Sequence, residues 1–480
     1  MASILSDLAE EIEKIPSYTV FGRVTAVLGM MVEIGGVERA LAIGDRVHLN
    51  NKRGGKVTCE IVGFKDGRAL ALPFSGLDGI GVGSEAEIEN ADYRVYPTDS
   101  WLGRVINAMG QPIDEKGVLL GGTKGYPVRG SPPPAHTRSR IGPKVDVGVR
   151  AINTFLTVCE GQRMGIFSGS GVGKSILMSM IARFSSSEVN VIGLVGERGR
   201  EVREFIQDYL GDEGLSRSVV IAATSDESPL MRRQAAYMTL AVAEAFRDSG
   251  KQVMCMMDSI TRFAMAQREI GLASGEPPAS KGYTPMVFSE LPKLLERAGP
   301  GRQGTGSITG LFTVLVEGDD HNEPISDSVR GIIDGHIVLD RNIADKGRYP
   351  AIDILKSVSR MMPDCNTDDE NRIVSKARSL LASYEEMADM IRLGAYRKGS
   401  DPRIDEAIVY YSSLEEFLSQ DKNEKIKIEE GYQRLTEILH IDTSPDNEPS
   451  QINTTSTDEE IVEGDNGDVS KGVGDLNEPV

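Results

Sequence analysis

The chain has 480 residues, 40% of them apolar and 26% charged, enough for roughly two to four domains with a sizeable core. It has no run of about eighteen apolar residues, as a membrane-spanning helix needs, and its N-terminus lacks a basic region followed by an apolar stretch and a cleavage site, so a cytosolic protein is predicted. The formal net charge of −19 argues against nucleic acid as a partner unless basic residues gather in a channel; from Ile441 onward, eleven acidic residues face the single Lys471, leaving −9 for the rest.

Residues 1–16 place Ile4, Leu5, Leu8, Ile12 and Ile15 on one side of a short helix that Pro16 ends. Such a segment ahead of a β-rich module has little to pack against, which favours a partner-binding helix over one packed on its own domain. Residues 17–96 then change to short alternating runs between glycine turns: Val20–Val27, Met31–Ile34, Arg46–Leu49, Lys56–Val62 and Arg68–Leu72. That spacing predicts a small antiparallel barrel, suited to holding subunits in a ring, docking a partner or plain support.

Residues 97–364 open with a proline- and glycine-rich connector to Gly148, in which Trp101–Gly110 is a structured island. Beyond it, apolar strand-like runs at Arg163–Phe167, Val189–Val195, Ser218–Ala223, Lys251–Met257, Ile308–Val316 and His336–Leu339 are separated, in several cases, by helical patterns. This predicts a mostly parallel sheet covered on both faces, with ligands at the carboxyl ends of its strands. Residues 365–440 read as a helical domain and the acidic 441–480 as a disordered tail. Cys59, Cys159, Cys255 and Cys365 are widely spaced and read as reduced thiols, and the five histidines show no zinc-ligand spacing.

The most informative stretch is Gly169-Ser170-Gly171-Val172-Gly173-Lys174-Ser175. It lies between the strand-like Arg163–Phe167 and a helix with apolar residues at helical spacing. The glycines let the backbone curl so that several N–H groups point into one hollow beside a helix N-terminus, which suits a chain of phosphates. Lys174 would bring charge to the β and γ phosphates and the Ser175 hydroxyl would ligate Mg²⁺. The strict phosphate-loop pattern has glycine where Ser168 stands. A serine fills that place if its backbone angles are ordinary.

Two acids end apolar strands. Asp258, after Lys251–Met257, either joins the Mg²⁺ shell opposite Ser175 or caps the helix beginning at Ser259 or Ile260. Glu197, after Val189–Val195, either orients an attacking water or is a surface acid paired with Arg198 or Arg200.

The set Gly169–Ser175, Gly196-Glu-Arg-Gly-Arg-Glu201, Asp258-Ser-Ile-Thr-Arg-Phe263, Glu290–Gly299 and Tyr349–Arg360, in this order, resembles the rotary ATP synthase catalytic subunits and their secretion relatives over residues 18 to 440. Ala223–Arg233 and Asp334–Arg341 look like the type III secretion branch, and within it the chain is most similar to the flagellum-specific export ATPases. The resemblance implies an α/β phosphate-loop core with a mostly parallel sheet, preceded by a small N-terminal β-barrel and followed by a C-terminal helical domain. It also implies a homohexameric ring with ATP between neighbours. By motif, Glu197 matches the catalytic glutamate, Arg198 the adjacent arginine and Asp258 the Mg²⁺-associated acid. Tyr349 matches the aromatic that stacks on adenine, and Arg360 the arginine finger of the adjoining subunit.

The implied work is ATP hydrolysis coupled to release, unfolding and export of flagellar proteins. Implied partners are a stator-like regulator on the N-terminal helix, a central stalk-like protein, the export gate and substrate–chaperone complexes at the cytoplasmic face of the inner membrane. An injectisome ATPase would share all of this chemistry. A ring-shaped RNA translocase would need a basic, aromatic groove that the barrel stretch lacks, and a subunit that only binds nucleotide would lack Glu197. Ser168 and the acidic tail depart from the family pattern.

Overall fold

The computed structural model describes residues 20–89, 93–316 and 323–440. The expected helix of residues 1–16 and the acidic stretch 441–480 lie outside the described residues. Six strands close a barrel in the order β1-β2-β5-β4-β3-β6: β1 Phe21–Leu28, β2 Met31–Gly35, β3 Arg46–Asn50, β4 Lys56–Lys65, β5 Arg68–Pro73 and β6 Glu85–Glu89. Alternation fills it, with Val24, Val32, Ile34, Val47, Leu49 and Ile61 packed inside. Outward-facing Arg23 and Glu33 pair with Glu85 and Arg68. Five of these strands follow from the sequence. The sixth does not, because Glu85-Ala-Glu-Ile-Glu89 offers only Ala86 and Ile88 to the interior and three glutamates of low strand propensity.

The core sheet is built from β7 Arg104–Asn107, β8 Arg163–Ser168, β9 Val189–Glu197, β10 Ser218–Thr224, β11 Val253–Asp258, β12 Ser307–Leu315, β13 Gly335–Leu339 and β14 Ile352–Ser359. Their order is β14-β13-β8-β12-β11-β9-β10-β7, parallel except that β14 runs antiparallel to β13, and the two-residue Gly299–Pro300 also pairs antiparallel with β12. Both faces are apolar. Along β9, Ile192 and Leu194 enter one cluster while Val189, Val191 and Val195 enter the other, the pattern of a strand buried on both sides.

Helix α1 (Lys174–Phe184) covers the first face through Leu177, Met178 and Ile181; α2 (Pro229–Asp248) covers the second through Leu240, Ala241 and Val242. Helix α3 (Ile260–Ala273) also packs on the second face. The connector is more than a linker, since its island supplies β7 as the strand beyond β10.

After the sheet, α4 (Asp368–Arg392), α5 (Pro402–Leu418) and α6 (Ile428–Leu439) form the helical region. Thr367 and Glu370 close a capping box at the start of α4. Leu380, Leu381, Phe417 and Leu435 extend the first apolar cluster, so this region and the first face of the sheet share one core. Cys59, Cys159 and Cys255 are buried free thiols and Cys365 is half-buried.

The barrel is fastened to the core through Glu60 on β4. Its carboxylate accepts from Arg233 on α2 at 2.6 and 2.7 Å and from Arg129 of the connector at 2.6 Å. Glu60 and Arg233 are only 3% and 4% exposed. Glu60→Ala therefore strands a buried guanidinium, and a stability loss of about 3 kcal/mol is expected in urea denaturation. An unchanged midpoint would show that solvent reaches Arg233 after the substitution.

Candidate active site

The site grows from the end of β8. Ser168 is the strand's last residue, buried and in register with Leu315 and Leu339. Its extended backbone explains why glycine is not required there. The chain then turns through Gly169–Gly173 and enters α1 at Lys174. Gly171 and Gly173 have φ of +79° and +96°, a region that side chains rarely adopt. A Cβ on Gly173 would lie 3.5 Å from Tyr349 Cδ1, so the tyrosine ring stands against the turn. Val172 is buried and anchors the loop, while Ser170 and Gly171 are exposed.

Lys174 points across the sheet end. Its Nζ donates to Asp258 Oδ1 and lies 3.7 Å from Glu197 Oε1. Thr313 on β12, the strand between β8 and β11, donates its hydroxyl to the same Asp258 oxygen at 2.7 Å. Ser259, not Asp258, caps α3, its hydroxyl accepting from the Arg262 N–H at 3.4 Å. The aspartate carboxylate is thereby left to face the loop lysine.

Glu197 ends β9 beyond a register shift against β10 that re-aims its side chain. Arg262 Nε donates to Glu197 Oε1 at 3.2 Å. This approach is close: a Cβ on Gly196, at φ +71°, would lie 3.0 Å from Arg262 Cδ. Arg198 and Arg200 pair instead with Glu201 at 3.5 Å and Glu204 at 2.6 Å, so Glu197 is a buried site acid rather than a surface partner of either. Burial, then the charge of Asp258, push its pKa up to about 7 against the opposing pull of Lys174 and Arg262.

Lys174, Glu197 and Arg262 border a cleft of about 900 Å³ that Ser170, Ser175 and Tyr349 also line, and Asp258 lies behind Lys174. Arg198 sits at the rim, with its side chain 77% exposed. Arg360 is not brought in. It follows β14, is exposed, and directs its guanidinium to the Arg330 carbonyl at 3.2 Å.

The sequence did not single out Arg262, Thr313 or Arg341 as site residues. Arg341 follows β13, the neighbour of β8, and donates to the Ser170 carbonyl at 2.9 Å. Only the strand order places it there. For Arg262, its place four residues after Asp258, one helical turn into α3, was the available signal.

A phosphate loop opening a helix, with two acids at the ends of neighbouring parallel strands, defines a nucleotide-hydrolysing core. The ATP synthase alpha/beta family nucleotide-binding domain matches residues 148–359, and its beta-barrel domain matches 24–88. The T3SS EscN ATPase C-terminal domain matches residues 367–437. The flagellum-specific ATP synthase of Caulobacter vibrioides is 54% identical, over 91% of this chain and 99% of the relative. That of Bacillus subtilis is 50% identical, over 90% and 98%.

Among solved structures, the assembled ATPase EscN of the enteropathogenic E. coli type III secretion system matches with a TM-score of 0.80 and 38% identity. The match covers 87% of this chain and all of that one. The chain belongs to the ATP synthase alpha/beta family, in the type III secretion branch that includes the flagellum-specific ATP synthases. It is an ATPase. Among the described residues, no helix is long and apolar enough to cross a membrane.

Proposed function

We propose that the chain works as a homohexameric ring that hydrolyses ATP between neighbouring subunits and couples hydrolysis to the release, unfolding and export of flagellar proteins. The observation that carries this is that Lys174, bonded to the buried Asp258, and Glu197 line one cleft while Arg360 stays outside it on the surface. The higher identity to flagellar relatives, 54% and 50% against 38% for EscN, favours the flagellar over the injectisome reading.

In this reading the N–H groups of Gly169, Ser170, Gly171, Val172 and Gly173, with Lys174, cradle the phosphates. The Ser175 hydroxyl and the Asp258 carboxylate are oxygen donors at the phosphate end, which fits Mg²⁺: it keeps several waters and takes one or two protein oxygens beside the phosphates. Bound there, Mg²⁺ supplies neutralisation of the β and γ oxygens. Glu197 accepts a proton-bearing edge of the attacking water and aligns it. Arg198 supports the phosphate side from the rim. Tyr349 stacks on adenine, and Arg360 of a neighbouring subunit completes the site.

The ionised form of Glu197 is the one that can accept from water. With its pKa near 7, kcat/KM is expected to fall as pH drops through about 7, and Glu197→Gln is expected to show low activity without that inflection. A wild-type profile flat between pH 6 and 8 would contradict the role.

The segments divide the work: residues 1–16 bind a stator-like regulator, 17–96 hold the ring, 97–364 turn over ATP and 365–440 meet a central stalk-like protein. EscN has been solved in complex with its central stalk EscO, which supports the stalk partner. The export gate and substrate–chaperone complexes meet the ring at the cytoplasmic face of the inner membrane.

Ring assembly is tested by specific activity against protein concentration. Activity per subunit is expected to rise steeply as subunits associate, and a constant value down to concentrations where light scattering finds only monomer would overturn the shared site.

A further inference from the structure

We infer that Gln420, backed by the Arg348–Glu415 ion pair, is a positioning residue that sets Tyr349 for the adenine base, so that base affinity is governed from the helical region. The inference rests on reading Tyr349 as the adenine platform. Tyr349 is 45% exposed, which leaves its main chain as the part that can be fixed. Its carbonyl accepts from the Gln420 N–H at 2.8 Å.

Gln420 is 5% exposed, and both polar atoms of its side chain are used. Oε1 accepts from the Arg150 N–H at 2.8 Å, and Nε2 donates to the Gly148 and Glu424 carbonyls, each at 2.8 Å. A buried amide satisfied at both ends holds its own backbone in one place. Next to Tyr349, Arg348 is 9% exposed; its Nε lies 3.1 Å from Glu415 Oε2 on α5, and it donates to the Ile352 carbonyl at 3.1 Å.

The same stretch also reaches the phosphate-loop helix. Arg183, in the last turn of α1, donates to the Lys422 carbonyl at 2.5 Å and to Asn423 Oδ1 at 3.3 Å. Residues 415–424 thus hold the adenine end of the cleft through Tyr349 and the far end of the helix that starts at its phosphate end.

The test titrates ATP and inorganic tripolyphosphate, which has no base, into full-length wild type, Gln420→Ala, Glu415→Gln, Tyr349→Ala and the Gln420→Ala/Tyr349→Ala double variant. Gln420→Ala keeps the main-chain bond to Tyr349 but loses the side-chain bonds that fix that main chain, and is expected to weaken ATP roughly three- to tenfold. Tripolyphosphate affinity is expected to stay unchanged, and the double variant is expected to bind ATP no worse than Tyr349→Ala alone. Glu415→Gln is expected to shift ATP the same way by a smaller factor, and carries the test if Gln420→Ala does not fold.

Equal weakening of both ligands, or effects that multiply in the double variant, would overturn the positioning role in favour of a merely structural one. So would wild-type ATP affinity in Gln420→Ala when Tyr349→Ala is impaired. If Tyr349→Ala itself binds ATP normally, the adenine platform falls and this inference with it.

Discussion

Replacing Arg360 with alanine is expected to leave ATP binding within about twofold of wild type while lowering turnover by about 10³ to 10⁵, the range of an arginine finger's contribution. The two effects separate because Arg360 does not line the cleft of its own chain. Its guanidinium is tied only lightly, to the Arg330 carbonyl, and is exposed at the end of β14. A neighbouring subunit can present it to the transferring phosphoryl group, where charge develops only in the transition state. Single-turnover kinetics beside an equilibrium titration separates these effects. Normal turnover, or a loss confined to binding, would assign the finger elsewhere.

Lys174→Ala is expected to damage both steps. The lysine is the cation that Asp258 and Glu197 share, and it directly follows the glycine turn proposed to take the phosphates. Its loss removes a charge-assisted bond to the nucleotide, weakening binding by about ten- to a hundredfold. It also removes charge stabilisation at the transferring group, lowering turnover by a further factor of about 10² to 10³. The vacated space also leaves two buried carboxylates facing each other, which Thr313 and Arg262 only partly offset. An alanine variant with wild-type activity would refute the phosphate-loop assignment.

Local pattern made much of this legible. Gly169–Ser175 between an apolar strand and a periodic helix located the phosphate turn, and the apolar runs ending in Glu197 and Asp258 located both acids. The choice between roles for those acids was not legible from spacing. It depended on which cation each one met, and Arg262 and Lys174 come from elements distant in sequence. Ser168 was a departure in the pattern only; as a strand residue it needs no positive φ. Strand β6 was hidden by its glutamates, and β14 by Lys356 and Asp353 within Ile352–Ser359, an antiparallel strand whose charged residues face out and pair at 3.1 Å. Arg341 and Gln420 carry no motif of their own, since their contacts exist only once β13 lies beside β8 and α5 ends beside Tyr349.

The shared site is tested most directly by mixing two inactive variants. Arg360→Ala subunits retain the phosphate loop and Lys174→Ala subunits retain the finger. When they are combined in equal amounts and allowed to reassemble, about a quarter of the interfaces join an intact loop to an intact finger. ATP hydrolysis is expected to reappear in the mixture toward that fraction of wild type. A mixture that forms rings yet stays as inactive as either variant alone would contradict a site completed by the neighbouring subunit.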